Sequence, residues 1–142
     1  MTRAFIDSSV FIAAVRSPTG GSAEVLRYAV AELFEAVISE DVVEEVERYF
    51  NRMVPTLVPA MNLVFHTVPF RFANPTVKDV IDAAIYTAQK DKAIVAGANV
   101  GKVDYLVTLD KRHLLDKSAQ IEPNVHFKII RPEDLLAILR RN

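Results

Sequence analysis

The chain has no cysteine among its 142 residues, which excludes disulfide scaffolds and thiolate zinc sites and points to an intracellular protein. Histidine is scarce too. His66, His113 and His126 show no H-x-x-x-H spacing, so a histidine-rich metal site is not expected. A basic surplus is also missing, since 17 basic residues face 18 acidic ones for a net charge of −1. Non-specific nucleic-acid binders draw affinity from phosphate neutralisation and carry such a surplus. Contact with nucleic acid would here need a local basic rim or bound metal ions. Long apolar runs are absent. The longest uncharged stretch, Met53 to Thr67 with its flanks, holds Pro55 and Pro59 and is too short to span a bilayer. The opening MTRAFIDSSVF carries Asp7 inside its apolar run, unlike a signal peptide. What is present is ordinary globular composition: 51% apolar and 25% charged residues suffice for a buried core rather than disorder. The length suits one domain, residues 1–142. The expectation is a soluble cytoplasmic protein.

No repeat, low-complexity tract or linker interrupts the chain. Ala4-Phe5-Ile6 reads as a buried strand ending at Asp7, and Asp7-Ser8-Ser9 offers cap-type side chains before the helical VFIAAV. After a loop over Ser17–Ser22, with Ser22 as cap, AEVLRYAVAEL has helical spacing. Phe34 to Ile38 predicts a second strand, and Ser39 a cap for EDVVEEVERYF, whose Val42, Val43, Val46, Tyr49 and Phe50 form one stripe. Residues 53 to 72 read as a helix followed by VFHTVPF in extended form. Helical spacing resumes from Thr76 to Ala88, and a short helix from Asp91 to Val100 stops near Gly101. Tyr105-Leu106-Val107 and His126 to Ile130 are the last strands, and Pro132 opens a closing helix that ends on basic residues. Apolar strands alternating with amphipathic helices imply a parallel sheet covered on both faces. In such sheets ligands bind beyond the carboxyl ends of the strands.

That rule selects the acids. Asp7 and Asp110 end the first strand and the YLVT strand, Glu44, Glu45 and Glu47 lie early in the helix after the second strand, and Asp91 opens the helix before Tyr105. Carboxylates gathered at one rim repel unless cations neutralise them, and an oxygen-rich donor set suits Mg²⁺ or Mn²⁺. Such a centre is suited to phosphodiester hydrolysis without a cysteine or histidine nucleophile. No G-x-S-x-G elbow offers a serine alternative. Each acid also has a plainer role: Asp7 and Asp110 as helix or turn caps, Glu45 and Asp91 as solvated surface charges.

The segments RAFIDSSVFIAAV, ISEDVVEEVERYF, KDKAIVAGANVGKVDYLVTLDKRHLL and FKIIRPEDLLAIL together resemble the PIN-domain nucleases, in particular the VapC-like toxins of toxin–antitoxin pairs. The resemblance spans nearly the whole chain and is poor over 53–90. It implies a Rossmann-like α/β/α fold with a central parallel sheet, Mg²⁺- or Mn²⁺-dependent endoribonuclease activity, an antitoxin partner and a homodimer. Residue by residue, the family acids fall on Asp7, on Glu45 with Glu44 as rival, on Asp91 and on Asp110, with Thr108 as supporting hydroxyl. Asp79 and Asp82 stand too far from Val107-Thr108 to replace Asp91. Many relatives have asparagine where this chain has Ser9, which can still cap or hold a metal-bound water. Asp7, Asp91 and Asp110 are then the expected metal ligands, Glu45 binds through water or orients the attacking water, and the products carry a 5′-phosphate and a 3′-hydroxyl. Lys111 and Arg112, followed by His113, are candidates for holding the RNA backbone, or form a solvated turn.

Two other classes compete. A catalytically degenerate PIN fold would bind RNA or an antitoxin without cutting. A phosphotransfer enzyme or receiver with Asp7 as nucleophile fits less well, because the haloacid dehalogenase pattern needs a second aspartate where Ser9 stands.

Overall fold

In the computed structural model, which describes residues 1–141, the continuous apolar run Ala4-Phe5-Ile6 becomes the middle of a sheet. Strand β1 (Arg3–Ile6) lies between β2 (Glu35–Ile38) and β4 (Tyr105–Val107), with β3 (Arg71–Phe72) and β5 (Lys128–Ile130) at the edges. Every pairing is parallel, with Phe5 opposite both Val37 and Leu106. Central strands covered on both faces need apolar residues at every position, and Ala4, Phe5, Ile6, Leu106 and Val107 are all fully buried.

Helices α1 (Ser8–Arg16) and α2 (Gly21–Val30) link β1 to β2; α3 (Glu40–Met53), a 3-10 turn (Pro55–Leu57) and α4 (Val58–Thr67) link β2 to β3. After β3 the chain returns across the sheet through α5 (Val77–Ala83) and α6 (Lys92–Val100) to β4. Right-handed crossovers place links running in opposite directions on opposite faces, which gives three layers. Gly97 shows why α6 sits so close: a Cβ there would stand 3.3 Å from the Phe5 ring and 3.5 Å from the Ala73 carbonyl oxygen. One wide helical turn (Lys111–Leu115), α7 (Ser118–Ile121) and a 3-10 turn (Glu122–Asn124) precede β5, and α8 (Pro132–Arg141) packs on α2. The expected α/β/α class with a central parallel sheet is therefore the fold observed.

Several local expectations change. Val64 to Thr67 is the last turn of α4, not extended chain, because Phe65 packs its ring on Phe11 at 4.3 Å between centroids. The helix expected to run through Leu33 ends at Val30, and Glu32 reverses the chain with φ of 58°. Gly20, not Ser22, occupies its N-cap, and Ser22 is buried in the first turn. The helix expected over Thr76 to Ala88 stops at Ala83, with Thr76 and Asp79 forming a capping box at its start. His126 and Phe127 precede the last strand rather than joining it. Ser39 does cap α3, its Oγ accepting from the Val42 amide.

Candidate active site

The order of strands reverses between β1 and β4, the switch point at which open α/β sheets bind ligands. Both strands end there. The Asp7 amide donates to the Val107 carbonyl at 3.1 Å, which sets Asp7 beside Thr108 as the two chains leave the sheet. Asp7 Oδ2 accepts two short hydrogen bonds, from Thr108 Oγ1 and Ser9 Oγ, each at 2.7 Å. Thr108 Oγ1 in turn accepts from the Asp110 amide at 2.9 Å, and Ser9 Oγ from the Leu109 amide at 3.0 Å. The two hydroxyls thus tie the end of β1 to the end of β4. Serine at position 9 keeps a donor toward Asp7 and an acceptor toward the opposite loop.

Glu45 enters from α3. Its place is fixed by Ser8 Oγ, which donates to Glu45 Oε2 at 2.6 Å, whereas Glu44 and Glu47 are exposed. Asp91 enters from the start of α6, nearly buried at 6% exposure. Its Oδ2 is shielded from solvent and has no hydrogen-bond partner. Asp110 Oδ1 accepts from the His113 amide at 3.0 Å, so its capping role and its place at the rim coexist. The cap reading of Asp7 fails in its side-chain form, since its carboxylate does not cap the helix it precedes, and the surface-charge reading of Asp91 fails because that residue is buried. Asp79 and Asp82 stay outside, the first in its capping box and the second paired to Lys78.

Asp7, Ser8, Ser9, Glu45, Asp91 and Asp110 line one open cleft of about 790 Å³. Burial is the main force on three of the acids, pushing Asp7, Glu45 and Asp91 above their ordinary carboxylate range. Mutual repulsion adds to it: the Asp110 charge raises Asp7 and Asp91, and the Asp7 charge raises Glu45 and Asp91. The hydroxyls of Ser9 and Thr108 on Asp7, and of Ser8 on Glu45, offset part of this. A buried carboxylate oxygen with no donor, set among like charges, is costly to ionise without a cation. The donor set, almost all oxygen, fits a hard divalent ion.

The sequence reading did not single out the basic rim. Arg48 and Arg52 line the cleft from α3 and Lys90 from the loop before Asp91. Their signal was available, because Glu45, Arg48, Tyr49 and Arg52 follow the spacing that puts residues on one helical face. Lys111 instead pairs with Asp116 at 3.1 Å, and Arg112 is exposed on the same turn; neither lines the cleft.

An α/β/α sheet with carboxylates gathered beyond its switch point is the class of protein that fold and cleft define. The sequence matches the PIN domain family over residues 3–112, and the chain belongs to that family. No curated protein matches it in sequence. Among solved structures it is similar to PAE2754 from Pyrobaculum aerophilum, with TM-score 0.68 and 15% identity, covering 99% of this chain and 91% of that one. It is also similar to a chain of VapBC2 from Rickettsia felis bound to a DNA fragment from their promoter (TM-score 0.65, 11% identity, 90% and 98% covered). A third likeness is to DNA-bound VapBC from Salmonella typhimurium (TM-score 0.64, 11% identity, 91% and 98% covered). At these identities the likeness is one of fold.

Proposed function

We propose that the chain, a single PIN-like domain, is a metal-dependent endoribonuclease of the VapC-like toxin branch. The observation that carries this reading is the buried, partnerless Oδ2 of Asp91 beside Asp7 and Asp110. Asp7, Asp91 and Asp110 would hold Mg²⁺ or Mn²⁺ directly or through water. When bound, the ion supplies Lewis acidity toward the phosphate and water. Glu45, aimed by Ser8, orients the attacking water and takes its proton. Water attacks phosphorus, the bond to the 3′ oxygen breaks, that oxygen takes a proton from solvent in the open cleft, and the products carry a 5′-phosphate and a 3′-hydroxyl. Thr108 and Ser9 hold Asp7 and Asp110 in register. Arg48, Arg52 and Lys90 hold the RNA backbone by charge and carry no sequence information.

The partners proposed are RNA as substrate, an antitoxin protein and a second copy of the chain, acting in the cytoplasm. Among the described residues no helix is long and apolar enough to cross a membrane. Homodimerisation is supported by exposed apolar side chains, including Met53, Leu63 and Phe72 and the row Val77, Ile81 and Ile85 at 78%, 62% and 83% exposure. The test is cleavage of single-stranded RNA with Mn²⁺ by the parent and by Asp7→Asn. Loss of cleavage in the variant, with parental RNA binding, supports the proposal. Equal cleavage by both overturns it. A parent that binds RNA and Mn²⁺ without cutting is instead the degenerate binding module.

A further inference from the structure

His113 takes no part in the reaction as described, yet its side chain stands at the edge of the carboxylates. Its amide donates to Asp110 Oδ1 at 3.0 Å, so the turn Lys111–Leu115 folds back over that carboxylate. This places His113 Nδ1 3.5 Å from the same oxygen. One donor atom from each of Asp91, Asp110 and His113 lies within 4.8 Å of the others, the one such grouping among the described residues. A second, independent observation points to a ligand: Asp91 is 6% exposed and its Oδ2 has no donor. Lys111, adjoining Asp110 in sequence, is turned away to Asp116 and does not neutralise the group.

Resting on the metal-dependent reading above, we propose that His113 is a nitrogen ligand to the ion held by Asp91 and Asp110, and that it makes this centre select Mn²⁺ over Mg²⁺. The spacing is within reach of a shared ion: with ligand bonds of about 2.0–2.2 Å, neighbouring donors stand roughly 2.8–3.1 Å apart in octahedral and roughly 3.3–3.6 Å apart in tetrahedral geometry, against 3.5 Å between His113 Nδ1 and Asp110 Oδ1. The chemistry fits as well. Imidazole binds manganese, cobalt and zinc in rising order of affinity, whereas magnesium keeps to oxygen donors and its own waters. A centre of carboxylates alone discriminates between the two ions only weakly. Adding one imidazole supplies the preference, and the bond from the His113 amide already holds that residue's backbone beside the Asp110 carboxylate.

The experiment compares the parent, His113→Gln and His113→Asn by calorimetric titration with Mn²⁺ and Mg²⁺, and by electron spin-echo spectroscopy of the bound Mn²⁺. Thermal melting in EDTA checks that each variant folds; His113 is half-buried, and at least one amide should preserve the fold. The expected result is a nitrogen coupling from imidazole in the parent that both variants lose. With it, Mn²⁺ affinity falls about tenfold or more while Mg²⁺ affinity moves less than about threefold. If the parent binds Mn²⁺ with no nitrogen coupling and the variants keep its Mn²⁺ to Mg²⁺ ratio, the assignment of His113 is overturned while the carboxylate centre stands. If the parent binds neither ion saturably, or Asp91→Asn binds as tightly as the parent, the metal-dependent reading fails and this inference fails with it.

Discussion

Ser8 Oγ donates a 2.6 Å hydrogen bond to Glu45 Oε2, joining the first residue of α1 to the second turn of α3 across 37 positions of chain. Glu45 is only half-buried, and among the described residues this is the one side-chain hydrogen bond it makes. Ser8→Ala therefore frees the carboxylate without opening the core. Steady-state cleavage with Mn²⁺ should show kcat reduced about tenfold with KM within about threefold, since in the proposed mechanism the lost bond orients a reacting group rather than substrate. Stability should fall by no more than about 1 kcal/mol. An unchanged kcat would show that the Ser8 bond does not aim Glu45 for the reaction.

Asp7→Asn is isosteric, and its carbonyl oxygen can still accept from Ser9 and Thr108. In EDTA the variant should melt higher than the parent at neutral pH, by about 1 kcal/mol or roughly 3–6 °C for a chain of this size. Burial raises the folded pKa of Asp7 above its ordinary 3.8. The protonated form is therefore favoured by folding, and the resulting stabilisation is complete below that ordinary value. It is lost as pH rises through the raised folded value. Glu45 and Asp91 add contributions of the same sign. Metal-free parent should thus lose stability relative to Asp7→Asn as pH increases through the acid range, with the difference levelling once Asp7 is ionised. Mn²⁺ reverses the trend, because it binds the carboxylates only after they release their protons. Melting scans at several pH values, with EDTA or Mn²⁺, measure both slopes.

Thr108→Val removes one hydroxyl and keeps the shape. Thr108 is fully buried and bridges Asp7 Oδ2 to the Asp110 amide. The variant leaves that amide without this acceptor and Asp7 with one donor fewer, a cost of about 1–3 kcal/mol. Thr108→Ser should recover most of the loss. Chemical denaturation of both variants separates the missing hydroxyl from the missing methyl.

How much of this was legible in sequence depends on which force decides each residue. Tyr105–Val107 was expected and observed as a strand because a short apolar run between polar ends leaves little choice once buried. Asp91 at the start of α6 and Ser39 as cap of α3 were likewise local matters. Val64 to Thr67 was not, since the β-branched and aromatic residues there favour strand and tertiary packing, on the distant Phe11 ring and on α3, holds them in a helix. The helical spacing of Val77, Ile81 and Ile85 carried the expected helix too far, to Ala88: it marks an exposed row, and the helix stops at Ala83. At the site, the strand-end acids followed from topology. The choice of Glu45 over Glu44 needed the Ser8 bond, which no spacing rule supplies.

The basic rim has a consequence measurable without knowing the target. Arg48 and Arg52 are exposed and line the cleft one and two helical turns beyond Glu45. Contacts from such side chains to phosphates release counterions, so log affinity falls linearly with log salt, by about 0.7 per contact on single strands. The double variant Arg48→Ala/Arg52→Ala should weaken binding of a single-stranded RNA uniformly across sequences and make the salt slope shallower by roughly 1.4, the sum of two such contacts. Lys111→Ala, whose ammonium already faces Asp116, should leave the slope close to that of the parent. Binding titrations in EDTA, with and without these changes, at several salt concentrations give the slopes. If Lys111→Ala flattens the slope and the arginine pair does not, the RNA backbone runs over the turn after Asp110 instead of along α3.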